Sequence, residues 1–202
     1  MDMKNLRITN TLNEKQKREV ARLYYQAFPK KFSSLWIFTK NESQAVRVLA
    51  KSLRYKSGLY VLSEDTVLGF IGLEKGNGFY APLRYSSFRE AFNIFSAGWR
   101  YAAYCIYRLF HGDMGSRTMH IDPIVVARYT RGMGIGSGLL KTTFEYAKKL
   151  GKRKVVLEVV DTNPMARRLY ERHGFRVVKA EHLSLLTRRA GFDKLYHMAK
   201  DL

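Results

Sequence analysis

Cysteine is almost absent from this 202-residue chain, with Cys105 standing alone. No disulfide can close within the chain and no cysteine-based metal site can be assembled; a cytoplasmic, reducing compartment is the expectation. Long apolar runs are missing as well. No stretch of ~20 uncharged apolar residues occurs that could span a bilayer, and residues 1–11 carry Asp2, Lys4 and Arg7 where a secretory leader needs ~7–15 consecutive apolar residues. Acidic residues are scarce, 17 against 36 Lys and Arg, which leaves a formal charge of +19. Charge on this scale concentrates anionic ligands, so nucleic acid, anionic lipid and a phosphorylated cofactor all qualify as partners. The basic residues run along the whole length, and the tightest clusters, Lys152-Arg153-Lys154 and Arg188-Arg189, are too short to act as tails.

What is present suffices for one ordinary core: 46% of the residues are hydrophobic, and the length exceeds that of a minimal domain. The expectation is a single domain, 1–202, that carries an insertion. Leu6-Arg7-Ile8-Thr9 alternates like a strand. Asn13 then precedes Val20, Leu23, Tyr24 and Phe28, which repeat on one helical face up to Pro29. Asn41 can cap a second helix that turns Ala45, Val48, Leu49 and Leu53 inward. Residues 58–63 and 67–74 read as a hairpin turning at Glu64-Asp65-Thr66.

Residues 80–114 break this rhythm. Phe88, Ala91, Phe92, Phe95, Trp99, Ala102, Ala103 and Ile106 form a stripe, predicting an amphipathic helical insertion packed through that stripe. Its tyrosine-rich far side (Tyr101, Tyr104, Tyr107) can cover a substrate pocket, contact a second subunit or touch a membrane surface. Packing against the protein's own core or a sister subunit is favoured over a membrane because the polar face has few lysines and arginines. A homodimer is one outcome. Strand 119–126 follows, then a glycine-rich turn and a helix through Leu139, Leu140, Phe144, Ala147 and Leu150. The apolar run 155–160 reads as a strand buried on both faces. Asn163-Pro164 opens a last helix that stops at Gly174, and strands are expected near 175–178 and 195–199.

The turn after strand 119–126 is the most informative segment. It holds Arg131, Gly132, Met133, Gly134, Ile135, Gly136 and Ser137 between a strand and a helix. Glycines let the backbone turn tightly and approach a ligand, and the N–H groups of a helix start favour an anion. A pyrophosphate suits such a place. A Walker A loop would end in Gly-Lys-Ser/Thr, whereas Gly136-Ser137-Gly138 stands here. A dinucleotide fingerprint would need a third glycine where Ser137 stands.

Arg131-x-x-Gly134-x-Gly136 after an apolar strand resembles the acetyl-CoA-binding motif of the GNAT-type N-acetyltransferase superfamily. A second block agrees in order and spacing: Leu157-Glu158-Val159, Asn163-Pro164-Met165-Ala166, then Leu169-Tyr170-Glu171-Arg172-His173-Gly174-Phe175. The resemblance covers about residues 119–178. It implies an α/β (α+β) fold with a central mixed, mostly antiparallel twisted sheet flanked by helices, from which the insertion departs. It also implies acetyl-CoA as co-substrate, with no metal. By the same resemblance, the backbone of Ile124, Val125 and Val126 pairs with the pantetheine arm. The N–H groups from Arg131 to Ser137 hold the pyrophosphate, Asn163 contacts and Ala166 packs beside the pantetheine, and Tyr170 lies near the sulfur.

Transfer from a thioester to an amine requires deprotonation of the amine, donors for the oxyanion and an acid for the thiolate. Tyr170 is the candidate acid. Glu158, twelve residues earlier, is a candidate base whose apolar neighbours Val156, Leu157 and Val159 would raise its pKa. His120 with Asp122 is the rival, because alternate strand residues share a face. His173, in the last turn of its helix, reads as a structural imidazolium complementing the dipole. The expected acceptor is an amine of a small molecule or a protein, and the basic surface disfavours polycations. The alternative is a non-catalytic module that binds CoA and nucleic acid through its charge, though no aromatic-and-basic RNA motif appears.

Overall fold

The computed structural model describes residues 6–75, 78–108, 117–182 and 191–202. Residues 109–114 of the anticipated insertion, and Arg188-Arg189, lie outside these. The chain runs β1 (Leu6–Thr9), α1 (Glu14–Ala27), the single turn α2 (Pro29–Lys31), a π-turn (Phe32–Trp36), α3 (Glu42–Ser52), β2 (Gly58–Ser63) and β3 (Thr66–Lys75). Next come α4 (Tyr85–Arg89), α5 (Ile94–Arg108), β4 (Thr118–Val126), α6 (Ile135–Lys149), β5 (Lys154–Val160), α7 (Pro164–Arg172), β6 (Arg176–His182) and β7 (Lys194–Asp201). The strands form one sheet in the order β1-β2-β3-β4-β5-β7-β6. Every neighbouring pair is antiparallel except β4 with β5. This is the mixed, mostly antiparallel sheet that the resemblance implied.

Local chemistry sets the helix starts. Asn13 and Gln16 form a reciprocal capping box at α1, and the Asn41 side chain accepts the N–H of Gln44 at α3. Each such cap satisfies donors that helical geometry leaves without partners. The hairpin between β2 and β3 closes through Glu64-Asp65, with Ser63 opposite Thr66 and Glu64 at φ 51°.

Two apolar cores sandwich the sheet. On one face α1, α3 and α5 bury Tyr24, Phe32, Val48, Leu49, Tyr60, Phe70 and Tyr80. On the other, α6 and α7 cover Ile71, Leu73, Met119, Ile121, Val155, Leu157 and Met198. Tyr60, Phe70 and Tyr80 stack in sequence, with centroids 6.2 and 6.0 Å apart, and the Tyr60 and Tyr80 hydroxyls meet at 3.0 Å.

Two expectations are corrected. The insertion is two helices, not one: α4 ends at Arg89, and Asn93 restarts the chain by accepting the N–H of Ser96. That break shifts the helical phase, so the anticipated stripe does not stay on one side. Phe88 is buried, but Phe95, Trp99 and Ile106 are 86%, 51% and 59% exposed. The tyrosine side faces inward, the core packing that was among the expected outcomes: Tyr104 is buried, and Tyr101 and Tyr107 pack against the core. The Tyr104 hydroxyl accepts the N–H of Leu83, the partner a buried tyrosine requires. Strand β5 is also not buried on both faces. Val155, Leu157 and Val159 lie under α6 and α7, while Glu158 on the opposite face reaches solvent.

Candidate active site

The parallel pairing of β4 with β5 begins at Thr118 and Lys154 and ends at Ile121 and Leu157. Beyond that point both strands continue but separate. Among the described residues, Ile124, Val125 and Val126 pair only with β3, and Glu158, Val159 and Val160 only with β7. The facing edges of the two strands therefore open as a wedge. Backbone groups on a strand edge seek partners, so the wedge is built to take an extended, hydrogen-bonding guest.

A β-bulge stands at its vertex. Between the pairs Ile71–Ile124 and Leu73–Ile121, β3 contributes Gly72 alone and β4 contributes Asp122 and Pro123. The extra residue reverses the alternation of β4, so Met119 and Ile121 share a core with Ile124 and Val126. The approach is so close that a Cβ on Gly72 would lie 2.5 Å from the Asp122 carbonyl oxygen.

At the mouth of the wedge the chain runs through Arg128–Thr130 into α6. Gly132 and Gly134 have φ of +83° and +81°, with open space where a Cβ would be. Their backbone conformation, not crowding, calls for glycine. No side chain caps α6, so the N–H groups of Ile135, Gly136 and Ser137 start the helix without intrahelical acceptors. Gly136 lies against α7, where an added Cβ would come 3.1 Å from the Leu169 side chain. The Arg131 side chain folds back to the carbonyl of Val126. Met133 is exposed. An uncapped helix start beyond two left-handed glycines fits a pyrophosphate.

Asn163 uses its side-chain oxygen to cap α7 at the N–H of Ala166, which leaves its amide NH2 for other partners. Ala166 and Tyr170 follow on the face of α7 that packs on the sheet. Tyr170 is 5% exposed and lies edge-on to Phe175. Among the described residues its hydroxyl has no hydrogen-bond partner. Burial, and then the charge of Asp122, raise its pKa, so it stays a protonated donor.

His120 sits at the centre of the acidic groups. Its Nδ1 is 2.9 Å from Glu74 Oε2 and its Nε2 is 3.2 Å from Glu158 Oε2. Glu74 also accepts the N–H of Tyr80. Burial opposes the imidazolium, but hydrogen bonds to Glu158 and Glu74 outweigh it and push the pKa up to about 10. Glu158 departs from the expectation of a raised pKa. Burial acts in that direction, yet hydrogen bonds with His120 and then His197 hold it well below the usual carboxylate range. Leu157 and Val159 were the wrong guide, because adjacent strand residues point to the opposite face. His120 is likewise not open to an acceptor beside Asp122. It is enclosed between two carboxylates, and Asp122 pairs with Lys31 at 3.8 Å. The Lys31 ammonium also lies 4.1 Å over the Trp36 ring.

His173 differs from its reading as a dipole-complementing imidazolium. Burial and then Lys141, Arg172 and Lys200 lower its pKa, and its Nε2 meets the Ser137 hydroxyl at 3.0 Å. A neutral ring there ties the end of α7 to the start of α6.

Sequence reasoning missed Glu74, Lys31, His197 and Glu181. Glu74 carried a signal, a carboxylate ending the apolar run Leu68-Gly69-Phe70-Ile71-Gly72-Leu73. Lys31 and His197 lie far from the motif in sequence, Glu181 lies six residues past Phe175, and none of the three gave a signal.

The comparisons with known proteins agree with this geometry. The model of the acetyltransferase (GNAT) family matches residues 18–175. An uncharacterised N-acetyltransferase of Methanocaldococcus jannaschii is 41% identical over 66 residues, which span 32% of this chain and 42% of that relative. A GCN5-related N-acetyltransferase from Kribbella flavida shares the fold over 100% of both chains, at a TM-score of 0.61 and 15% identity. The yncA protein of Salmonella typhimurium, solved with its cofactor acetyl-CoA, does so over 98% of this chain and 94% of that one, at 0.60 and 15%. No helix among the described residues is long and apolar enough to cross a membrane. The match from 18 to 175, laid over the wedge and its glycine turn, establishes that this chain belongs to the acetyltransferase (GNAT) family.

Proposed function

We propose that this protein transfers an acetyl group from acetyl-CoA to a primary amine by direct attack. The observation that carries the reading is the wedge between β4 and β5, with an uncapped helix start at its mouth and the Glu158–His120 pair at its vertex. When bound, acetyl-CoA supplies an activated thioester. The N–H groups of the turn from Arg131 to Ser137 bind the pyrophosphate, and the free edge of Ile124, Val125 and Val126 pairs with the pantetheine arm. The Asn163 amide reaches that arm, and Ala166 leaves room beside it.

Glu158 is the proton acceptor. Its side chain is 33% exposed, whereas that of His120 is 5% exposed with both ring nitrogens engaged. A doubly bonded imidazolium has no lone pair to offer, so His120 orients Glu158 rather than deprotonating the amine. Tyr170, protonated and without another partner among the described residues, donates to the departing thiolate. The free N–H groups along the edge of β4 serve the oxyanion. The acceptor enters from the face that holds Asp122 and Glu158, where two carboxylates attract an amine and Lys31 disfavours a second cationic group. An amine on a small molecule or a protein fits, and a polycation fits poorly.

Calorimetric titration with acetyl-CoA tests the cofactor half. Wild type binds, and Gly134→Glu, checked for folding by thermal unfolding, loses binding by at least ~100-fold through repulsion of the pyrophosphate. Gly138→Ala, where the added Cβ meets open space, retains it. A panel of tyramine, spermidine, lysine and a short peptide with a free N-terminus then finds the acceptor. Absence of acetyl-CoA binding by wild type at millimolar concentration would overturn the reading. Spermidine as the best acceptor by a wide margin would overturn the charge argument.

A further inference from the structure

The charged ladder does not end at Glu158. His197 on β7 stands opposite Glu158 in the strand register, with its Nδ1 3.4 Å from Glu158 Oε1. Its Nε2, buried and without an aligned hydrogen bond among the described residues, lies 3.3 Å from Glu181 Oε2 on β6 as a charge contact, and Glu181 pairs in turn with Lys179. Carboxylate and cation thus alternate across five strands: Glu74, His120, Glu158, His197, Glu181 and Lys179. The two halves of this ladder differ in access to water. Glu74 and His120 are closed off, both at 5% side-chain exposure. Glu158, His197 and Glu181 are 33%, 29% and 30% exposed.

A proton taken up by Glu158 cannot move inward, because His120 is already protonated and held between two carboxylates. An amine seated over Glu158 also covers that carboxylate's own contact with water. The outward side is different, since His197 reaches from the second carboxylate oxygen to a partly exposed acid. We infer that His197, backed by Glu181, is the exit through which the proton collected by Glu158 reaches solvent during turnover. This rests on the acetyl-transfer reading above.

In that step the proton passes from Glu158 Oε1 to the lone pair of neutral His197 at Nδ1. The proton on Nε2 passes to the Glu181 carboxylate and then to water. Only O–H and N–H bonds form and break, and exchange of the tautomer restores the ring. The charged and titratable groups around this path are Glu74 from β3, His120 and Asp122 from β4, and Lys179 and Glu181 from β6. Among the described residues, Lys31 of α2 faces Asp122, Glu158 and Glu74, and Tyr24 of α1 faces Asp122 and Glu74. Pairing with Glu158 and Glu181 raises the pKa of His197 against its partial burial. The exit therefore opens as pH rises through that value. Removal of the Glu181 charge lowers the His197 pKa and moves the opening to lower pH.

His197 acts through Glu158, so the test needs readouts that a scaffold role would not move. With the fastest amine of the panel, His197→Ala is expected to lower kcat by ~10- to 100-fold. Its acetyl-CoA affinity stays unchanged, and free imidazole restores part of the rate. Glu181→Gln is expected to shift the acidic limb of the kcat–pH profile to lower pH. If His197→Ala does not fold, His197→Gln replaces it and Glu181→Gln, on a partly exposed edge strand, carries the pH test. Unchanged kcat in the His197 variants, or a Glu181→Gln profile that superimposes on wild type, overturns the exit while leaving the transferase reading intact. A wild type that binds acetyl-CoA and acetylates no amine of the panel overturns both.

Discussion

The two halves of the sheet are built from the same alternating strands but are put to different uses. From β1 to β4 the face under α1, α3 and α5 is closed by aromatics, with Tyr24, Phe32, Tyr60, Phe70 and Tyr80 fully buried. From β5 to β6 the same face carries no such cover among the described residues. Glu158, His197 and Glu181 occupy it, and β6 is exposed along nearly its whole length. The boundary is the place where β4 and β5 separate. A sheet needs cover on both faces for stability only where it carries apolar residues. Leaving one face open past β4 lets charged groups reach both water and the wedge.

The sharpest way to break this comparison is to remove the charge at the boundary. Glu158→Gln keeps the size and one acceptor oxygen of the two but loses the proton acceptor, and kcat is expected to fall by ~100- to 10,000-fold with acetyl-CoA affinity retained. Steady-state kinetics beside calorimetry check it. An equal loss of affinity would place Glu158 in cofactor binding instead.

Stability contrasts the halves directly. Leu49→Ala, at 0% exposure in the aromatic core, is expected to cost about 2–5 kcal/mol. Val178→Ala, 65% exposed on β6, should stay within about 0.5 kcal/mol. Urea unfolding of both variants measures the difference, and similar losses would mean that the open face is covered in solution.

The smallest effect is the pH dependence of wild-type stability. His120 binds its proton more tightly folded, with a pKa of about 10 against an ordinary 6.5. Its contribution is complete below pH 6.5 and is lost as pH rises toward 10. Glu158 has the opposite sign: its depressed pKa gives stability that is present above the ordinary carboxylate range and lost as pH falls below it. Stability should therefore peak between pH 4.5 and 6.5, as far as these two groups decide. Thermal unfolding across pH 4–10 checks this, with a shallower alkaline fall expected in His120→Gln.

Most of the left-to-right order of the fold was legible. The caps Asn13, Asn41 and Asn163, the hairpin at Glu64-Asp65 and the turn at Gly132 and Gly134 act through their own neighbours, and all formed where local chemistry put them. The orientation of α5 was not legible. A stripe of Phe95, Trp99 and Ile106 has the period of a buried face, but the break before Asn93 and the inward hydrogen bond of Tyr104 decide which side turns in. Period alone gives no phase relative to a core.

The candidate site divides in the same way. Sequence by itself determined the glycine turn, the uncapped helix start and the Glu158 to Tyr170 spacing, because each depends on contacts within one strand–turn–helix segment. Only the tertiary structure decided the ionisation of Glu158 and His120 and brought in Glu74, Lys31, His197 and Glu181. A pKa is set by charges a few ångströms away, and here those charges come from strands that are distant in the chain and adjacent only through the order of the sheet.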